Sequence, residues 1–193
     1  MEFLENSINE FLVATASRKP TPGGGSAAAL AGSLAASLLE MVCHLSDTEQ
    51  GRGFILEAKT IRLRLGKLID EDANSFKDFL KAPAHGKEEA LKKAALIPLE
   101  TATLSFSVLE LAGEIIRICK KSVLTDAGTA AVLADAAVQS ACFNVNVNLN
   151  TINDARFRET VNKKLKRFSR SATISRRVTN YVNTQLKPGT RPG

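Results

Sequence analysis

The stretch Pro20-Thr21-Pro22-Gly23-Gly24-Gly25-Ser26, running into Ala27-Ala28-Ala29-Leu30-Ala31-Gly32-Ser33-Leu34, constrains this chain more than any other. Two prolines fix φ and bar helix before Gly23, and three glycines then admit backbone conformations closed to other residues. Ser26 is a natural N-cap, and the alanine-rich run behind it has good helix propensity. A bare glycine loop at a helix N-terminus offers free N–H donors and a positive dipole end to an anion or polar ligand. The same residues also suit a tight turn that lets two helices pack closely, and by themselves they do not choose. No Gly-Lys-Ser/Thr follows, so the loop is not Walker A. No strand precedes it, so it is not a dinucleotide fingerprint.

Helical spacing continues on both sides of the loop. Phe3, Leu4, Ile8, Phe11 and Leu12 predict an amphipathic helix over 2–16, ended by Pro20 and Pro22. The second helix runs from about Ser26 to Leu45, thin with alanine and glycine, so a neighbouring backbone can approach it. Asp47 to Gly53 reads as a polar loop.

The third helix, about Ile55 to Leu80, places Leu65, Leu68, Ile69, Phe76 and Phe79 on one stripe. Asp72 falls in the middle of that stripe, whereas Asp70 and Glu71 point away. A carboxylate on a buried face costs free energy unless it is paired or has a task, and burial moves its pKa toward useful acid/base values. The alternative is an Asp that caps or salt-bridges a neighbouring helix.

The fourth helix, about Lys87 to Lys120, contains Pro98, which should kink or split it. His85, in the turn before it, reads as a solvated loop residue. The fifth helix, about Asp126 to Asn150 with Thr125 as cap, is apolar or small nearly all round and is expected to be central. One of its stripes carries Asp126, Ala130, Leu133, Ala137, Ala141, Asn144 and Asn148, with Asn146 opposite. Two amides one turn apart among alanines suggest either a narrow polar cleft or hydrogen bonds within a polar core. A last helix, about Asp154 to Leu186, has Val161, Leu165, Phe168 and Ala172 as its inner edge. The tail 187–193 reads as frayed. No strand-like alternation and no repeat appear. The expectation is all-α: a single-domain bundle of five to six helices over 1–186.

Composition narrows what such a bundle does. The chain has no tryptophan and one tyrosine, which argues against an aromatic platform for single-stranded nucleic acid. Cys43, Cys119 and Cys142 are scattered and lack metal-ligand spacing, as suits a reducing compartment. With His44 and His85 alone, neither a His-rich metal site nor a Ser-His-Asp triad is well supplied. No metal or redox cofactor is suggested. The N-terminus carries Glu2, Glu5 and Glu10 and lacks a signal-peptide core, and the Ser26–Leu39 run looks too short and too small-residue-rich to span a bilayer. A cytoplasmic protein without a membrane partner is expected. Net charge is +6, but residues 1–155 hold 15 Lys/Arg against 19 Asp/Glu, while 156–193 hold 11 against one. That asymmetry marks either an anionic partner or a solvated helix face.

Three stretches in order and spacing carry a family resemblance: Pro20–Ser26 with its alanine-rich helix, Asp72-Ala73-Asn74-Ser75-Phe76, and Thr125-Asp126 followed by Ala130-Ala131, Ala136-Ala137 and Asn144-Val145-Asn146-Val147-Asn148-Leu149. Together they resemble the formiminotetrahydrofolate cyclodeaminase / methenyltetrahydrofolate cyclohydrolase family over about residues 1–155, and Pro98 falls where that family carries a mid-chain proline. Thr125 departs from the usual Ser-Asp pair, and the 46–54 linker has no counterpart. The resemblance implies an all-helical homodimer that acts on folate one-carbon units, with no cofactor besides the folate substrate, polyglutamylated or not. It also implies Asp72 as the catalytic carboxylate, with Asp70 the competitor, and Gly23, Gly24, Gly25, Ser26, Asp126, Asn144 and Asn148 as substrate-binding residues. The leading expectation is cyclodeamination of 5-formiminotetrahydrofolate, and the alternative is cyclohydrolysis of the methenyl compound. A helical protein binding nucleic acid through its basic C-terminal segment is a further reading, which gives no reason for the glycine loop or Asp72.

Overall fold

A computed structural model describes residues 3–187, and among them no strand occurs. The all-α bundle stands. After a 3₁₀ turn at Phe3–Glu5 come α1 (Ile8–Thr15), α2 (Gly24–Ser46), α3 (Glu49–Lys81), α4 (Lys87–Ile115), α5 (Leu124–Thr151), α6 (Ala155–Leu165) and α7 (Ser171–Gln185). Except for Lys187, the expected tail lies outside the described residues.

Helices α2 to α5 form an up-and-down core. Small residues along α2 (Ala28, Ala29, Gly32, Ala35, Ala36) are all buried, so α3, α4 and α5 close directly on its backbone. At Gly32 the fit is tight enough that a Cβ would overlap the Ser105 hydroxyl on α4. The large side chains supplied against these small ones are Leu39, Leu65, Leu68, Phe106 and Leu109, each fully buried. Interlocking of small and large residues at crystal-like density is what fixes helix spacing here. Arg64 ties α3 to α4, donating to Glu71 Oε2 at 2.9 Å and Glu100 Oε2 at 2.8 Å.

Several local expectations change. The polar loop at 47–53 is two residues long, because Thr48 caps α3 by accepting from Gly51 N–H at 3.0 Å. Asp47, with φ of 48°, makes the left-handed turn between the helices. Val123, not Thr125, stands at the N-cap of α5, and Thr125 lies inside the helix. Pro98 is buried within an unbroken α4. The expected last helix is divided by a 3₁₀ segment, Lys166–Arg170, which turns Phe168 inward against Phe106 with ring centroids 5.5 Å apart. Beyond it the inner edge of α7 is Ser171, Ser175, Val178 and Val182, with Ala172 exposed. At the N-terminus Phe3 and Phe11 are buried, while Ile8 and Leu12 face outward.

Length and composition alone would let α2, Ala84–Ile115 and Lys121–Thr151 cross a membrane, so α2 is longer than its uncharged run suggested. Between 39% and 56% of those apolar windows is buried inside the bundle, so much of their apolarity serves the core.

Candidate active site

The two prolines and three glycines end in α2 earlier than expected. Gly23 occupies the N-cap position, so Gly24, Gly25 and Ser26 form the first turn of the helix. Ser26 is therefore not the cap. It is fully buried, and its hydroxyl lies 2.9 Å from the Ile69 carbonyl and 3.0 Å from Asp72 Oδ2, both on α3. The Ser26 backbone N–H also favours the ionised Asp72 carboxylate. Asp72, from another helix, thus stands against the first turn of α2, where an N-cap side chain ordinarily faces the unpaired donors.

Gly25 makes this approach possible. A Cβ there would stand 2.8 Å from Asp72 Oδ2 and closer still to Cγ and Oδ1. Burial pushes the Asp72 carboxyl up from its usual pKa, and the two hydrogen bonds from Ser26 oppose part of that rise. Asp70, the competitor, faces elsewhere and accepts from the Phe3 and Leu4 N–H groups.

Asp72 opens onto a cleft of about 380 Å³. Its walls are the loop at Pro20 and Thr21, the turn Gly23–Gly25, the α3 residues Ser75, Phe76 and Phe79, Leu91 and Ala94 of α4, and Asn144 and Asn148 of α5. Phe76, expected on the core stripe, instead stands at the cleft wall with 37% of its surface exposed. Among the described residues lining it, Asp72 is the one ionisable side chain. Asn144 Nδ2 donates to Ser140 O at 2.9 Å, and Asn148 Nδ2 to Ala94 O at 3.1 Å.

The structure therefore brings Gly23, Gly24, Gly25, Asp72, Asn144 and Asn148 together. It does not bring Asp126, which sits in the first turn of α5, about 27 Å along the helix from Asn144. Ser26 stands behind Asp72 rather than on the cleft wall. Phe79, expected like Phe76 on the core stripe, also lines the cleft, and Leu91 and Thr151 join the site unannounced; the sequence marks these two only as ordinary helix positions. A hollow of similar size, about 390 Å³, opens between α4 and α7, floored by Leu111, Ile174 and Val178, and none of the sequence motifs reaches it. Among the described residues no group of three or more His, Cys, Asp or Glu is placed to hold a metal ion.

Residues 7–167 match the formiminotransferase-cyclodeaminase family. The chain belongs to this family. The relatives within it carry more than one activity in their names. Methenyltetrahydrofolate cyclohydrolase of Methylorubrum extorquens is 31% identical over 202 residues, covering 93% of this chain and 97% of that protein. Formimidoyltransferase-cyclodeaminase of Rattus norvegicus is 30% identical over 179 residues, covering 81% of this chain but 33% of that protein. The chain thus spans about a third of that longer relative. The crystal structure of formiminotetrahydrofolate cyclodeaminase from Thermotoga maritima superposes with a TM-score of 0.90 at 25% identity, covering 96% of this chain and all of that one.

Proposed function

We propose that this chain converts 5-formiminotetrahydrofolate to 5,10-methenyltetrahydrofolate with release of ammonia, and that Asp72 is the acid and base. The observation that carries this is one buried carboxyl of raised pKa in a cleft that otherwise has no ionisable wall. N10 attacks the carbon of the protonated formimino group, giving a tetrahedral adduct with an amino group. Asp72 accepts the proton from N10 and passes it to the amino group, which leaves as ammonia while the N10–carbon double bond forms. A single group does both jobs best when its pKa lies nearer the working pH than that of an ordinary aspartate. The cleft volume is within the range of small-molecule sites, and Phe76 and Phe79 offer apolar faces to a flat ring.

A second reading is favoured by the Methylorubrum relative, whose length this chain matches almost completely: hydrolysis of the methenyl compound to 10-formyltetrahydrofolate. Water then adds to the same carbon. The two readings separate by supplying each folate to the purified protein and following the methenyl absorbance together with ammonia. Gain of absorbance with ammonia from the formimino compound supports the first. Loss of absorbance from the methenyl compound, with no action on the formimino one, replaces it with the second.

The same proposal includes a homodimer and cytoplasmic residence. Exposed apolar side chains run along the adjacent helices α2 (Leu30, Leu34, Met41, Leu45) and α5 (Val132, Phe143, Val147), a face suited to a second copy. Three free thiols suit a reducing compartment. A polyglutamate tail on the folate would find basic residues nearby, since α6 begins four residues after Thr151 of the cleft. Arg158 and Lys163 of α6, with Lys166 directly after it, line a hollow with Asn146, Asn150 and Asn162.

A further inference from the structure

Pro98 leaves a gap in α4 that the cleft uses. In a helix the carbonyl of residue 94 accepts from the N–H of residue 98, and proline has none. The freed Ala94 carbonyl is taken by Asn148 Nδ2 from α5, at 3.1 Å. Ala94 and Asn148 are both cleft residues, so the repair lies in the wall of the site.

This bond settles which way the Asn148 amide faces. A carbonyl only accepts, so the nitrogen arm must point at Ala94, and the oxygen arm points elsewhere. Asn144 is fixed by the same logic one turn earlier, through Ser140 O. Each Oδ1 accepts no hydrogen bond from the described residues. Two amide oxygens and the Asp72 carboxylate are then the acceptors that α3 and α5 bring to the cleft, across from the first-turn N–H groups of Gly24 and Gly25. No cation stands among the lining residues; the ammonium with a contact to the cleft wall is Lys87, 4.5 Å from the Phe79 ring centroid and donating to the Phe79 and Leu80 carbonyls.

We propose that Pro98 is a positioning residue: by withdrawing one N–H from α4 it locks Asn148 with its oxygen outward, and so tunes the cleft for a cationic group that bears N–H donors. On the cyclodeaminase reading, on which this identification rests, that group is the protonated formimino substituent, a planar amidinium. The methenyl cation has no N–H on its one-carbon bridge, and a 5-formyl group places an oxygen where the amidinium places its NH₂. An Asn148 oxygen left free to accept favours the first over both, because an oxygen facing an oxygen leaves both unpaired.

The test uses the full chain and the isosteric pair 5-formiminotetrahydrofolate and 5-formyltetrahydrofolate. Pro98→Ala returns the N–H to α4 and, alanine being a strong helix former, should fold with a Tm no lower than a few degrees below wild type. The preference for the formimino over the formyl compound, read as KM against inhibition constant, should fall about fivefold, the worth of one hydrogen bond. In an Asn148→Ala background the same substitution should change the preference no further, which a merely structural role of Pro98 would not produce. Side-chain amide exchange of Asn148, followed by NMR without any folate, should be slowed in wild type and faster in Pro98→Ala. Unchanged Asn148 exchange overturns the inference whatever the enzyme does. Faster exchange with no turnover of the formimino compound overturns the assigned function and leaves the role of Pro98 standing. Additive effects of Pro98→Ala and Asn148→Ala overturn the coupling.

Discussion

The Asp72 carboxylate lies against Gly25, at the first turn of the helix whose Ser26 hydroxyl is 3.0 Å from its Oδ2. Space, rather than an unusual backbone angle, is what requires glycine there. Gly25→Ala pushes the carboxylate off its donors while leaving the helix intact. We expect kcat to fall about a hundredfold, the effect of a displacement near 1 Å, with an unchanged circular dichroism spectrum.

The pH dependence follows from the raised pKa of Asp72. A carboxyl whose folded pKa exceeds its unfolded one contributes stability below the unfolded pKa and loses it as pH rises through the folded pKa. Above its raised pKa Asp72 is a buried charge that Asn would not have. Asp72→Asn should show a higher Tm than wild type on the alkaline side, with the gap closing in acid, as thermal scans across pH would read. Ser26→Ala removes a donor that favours the carboxylate, so the acid limb of kcat/KM should move to higher pH.

The exposed apolar face of α2 and α5 tests the homodimer. Phe143 is 67% exposed in the single chain, although it is a large aromatic. Phe143→Asp or Leu34→Asp should yield a folded monomer in light scattering, against a dimer for wild type. A wild-type monomer at micromolar concentration would remove that part of the proposal.

Basic residues of α6 test the polyglutamate tail. Replacing Arg158, Lys163 and Lys166 with Gln should raise KM for a polyglutamylated folate and leave the monoglutamate unchanged. An equal effect on both would show that these charges do not read the tail.

Much of this site is legible in the sequence because its parts break local rules. Three successive glycines, a carboxylate on an apolar stripe and amides among alanines each contradict simple helix packing, and the structure draws all of them into one cleft. Ser26 and Asp126 show the limit. Ser26 loses the capping role because the glycines enter the helix, and its hydroxyl turns to Asp72 instead, a tertiary contact between residues 46 apart. Asp126 shares a helical stripe with Asn144 and Asn148, but a stripe fixes a face and not a height, and a long helix carries its ends to different places. Pro98 carries the opposite lesson: a helix breaker by propensity lies inside α4, because the carbonyl it strands is met by Asn148 from the facing helix.

The central claim is that Asp72 moves the proton in a folate one-carbon reaction. The direct measurement is methenyl formation with ammonia release from 5-formiminotetrahydrofolate, wild type against Asp72→Asn, with substrate binding measured alongside. The account predicts a kcat lower by about 10²- to 10⁴-fold in the variant, with binding retained. A variant that turns over at the wild-type rate would contradict it.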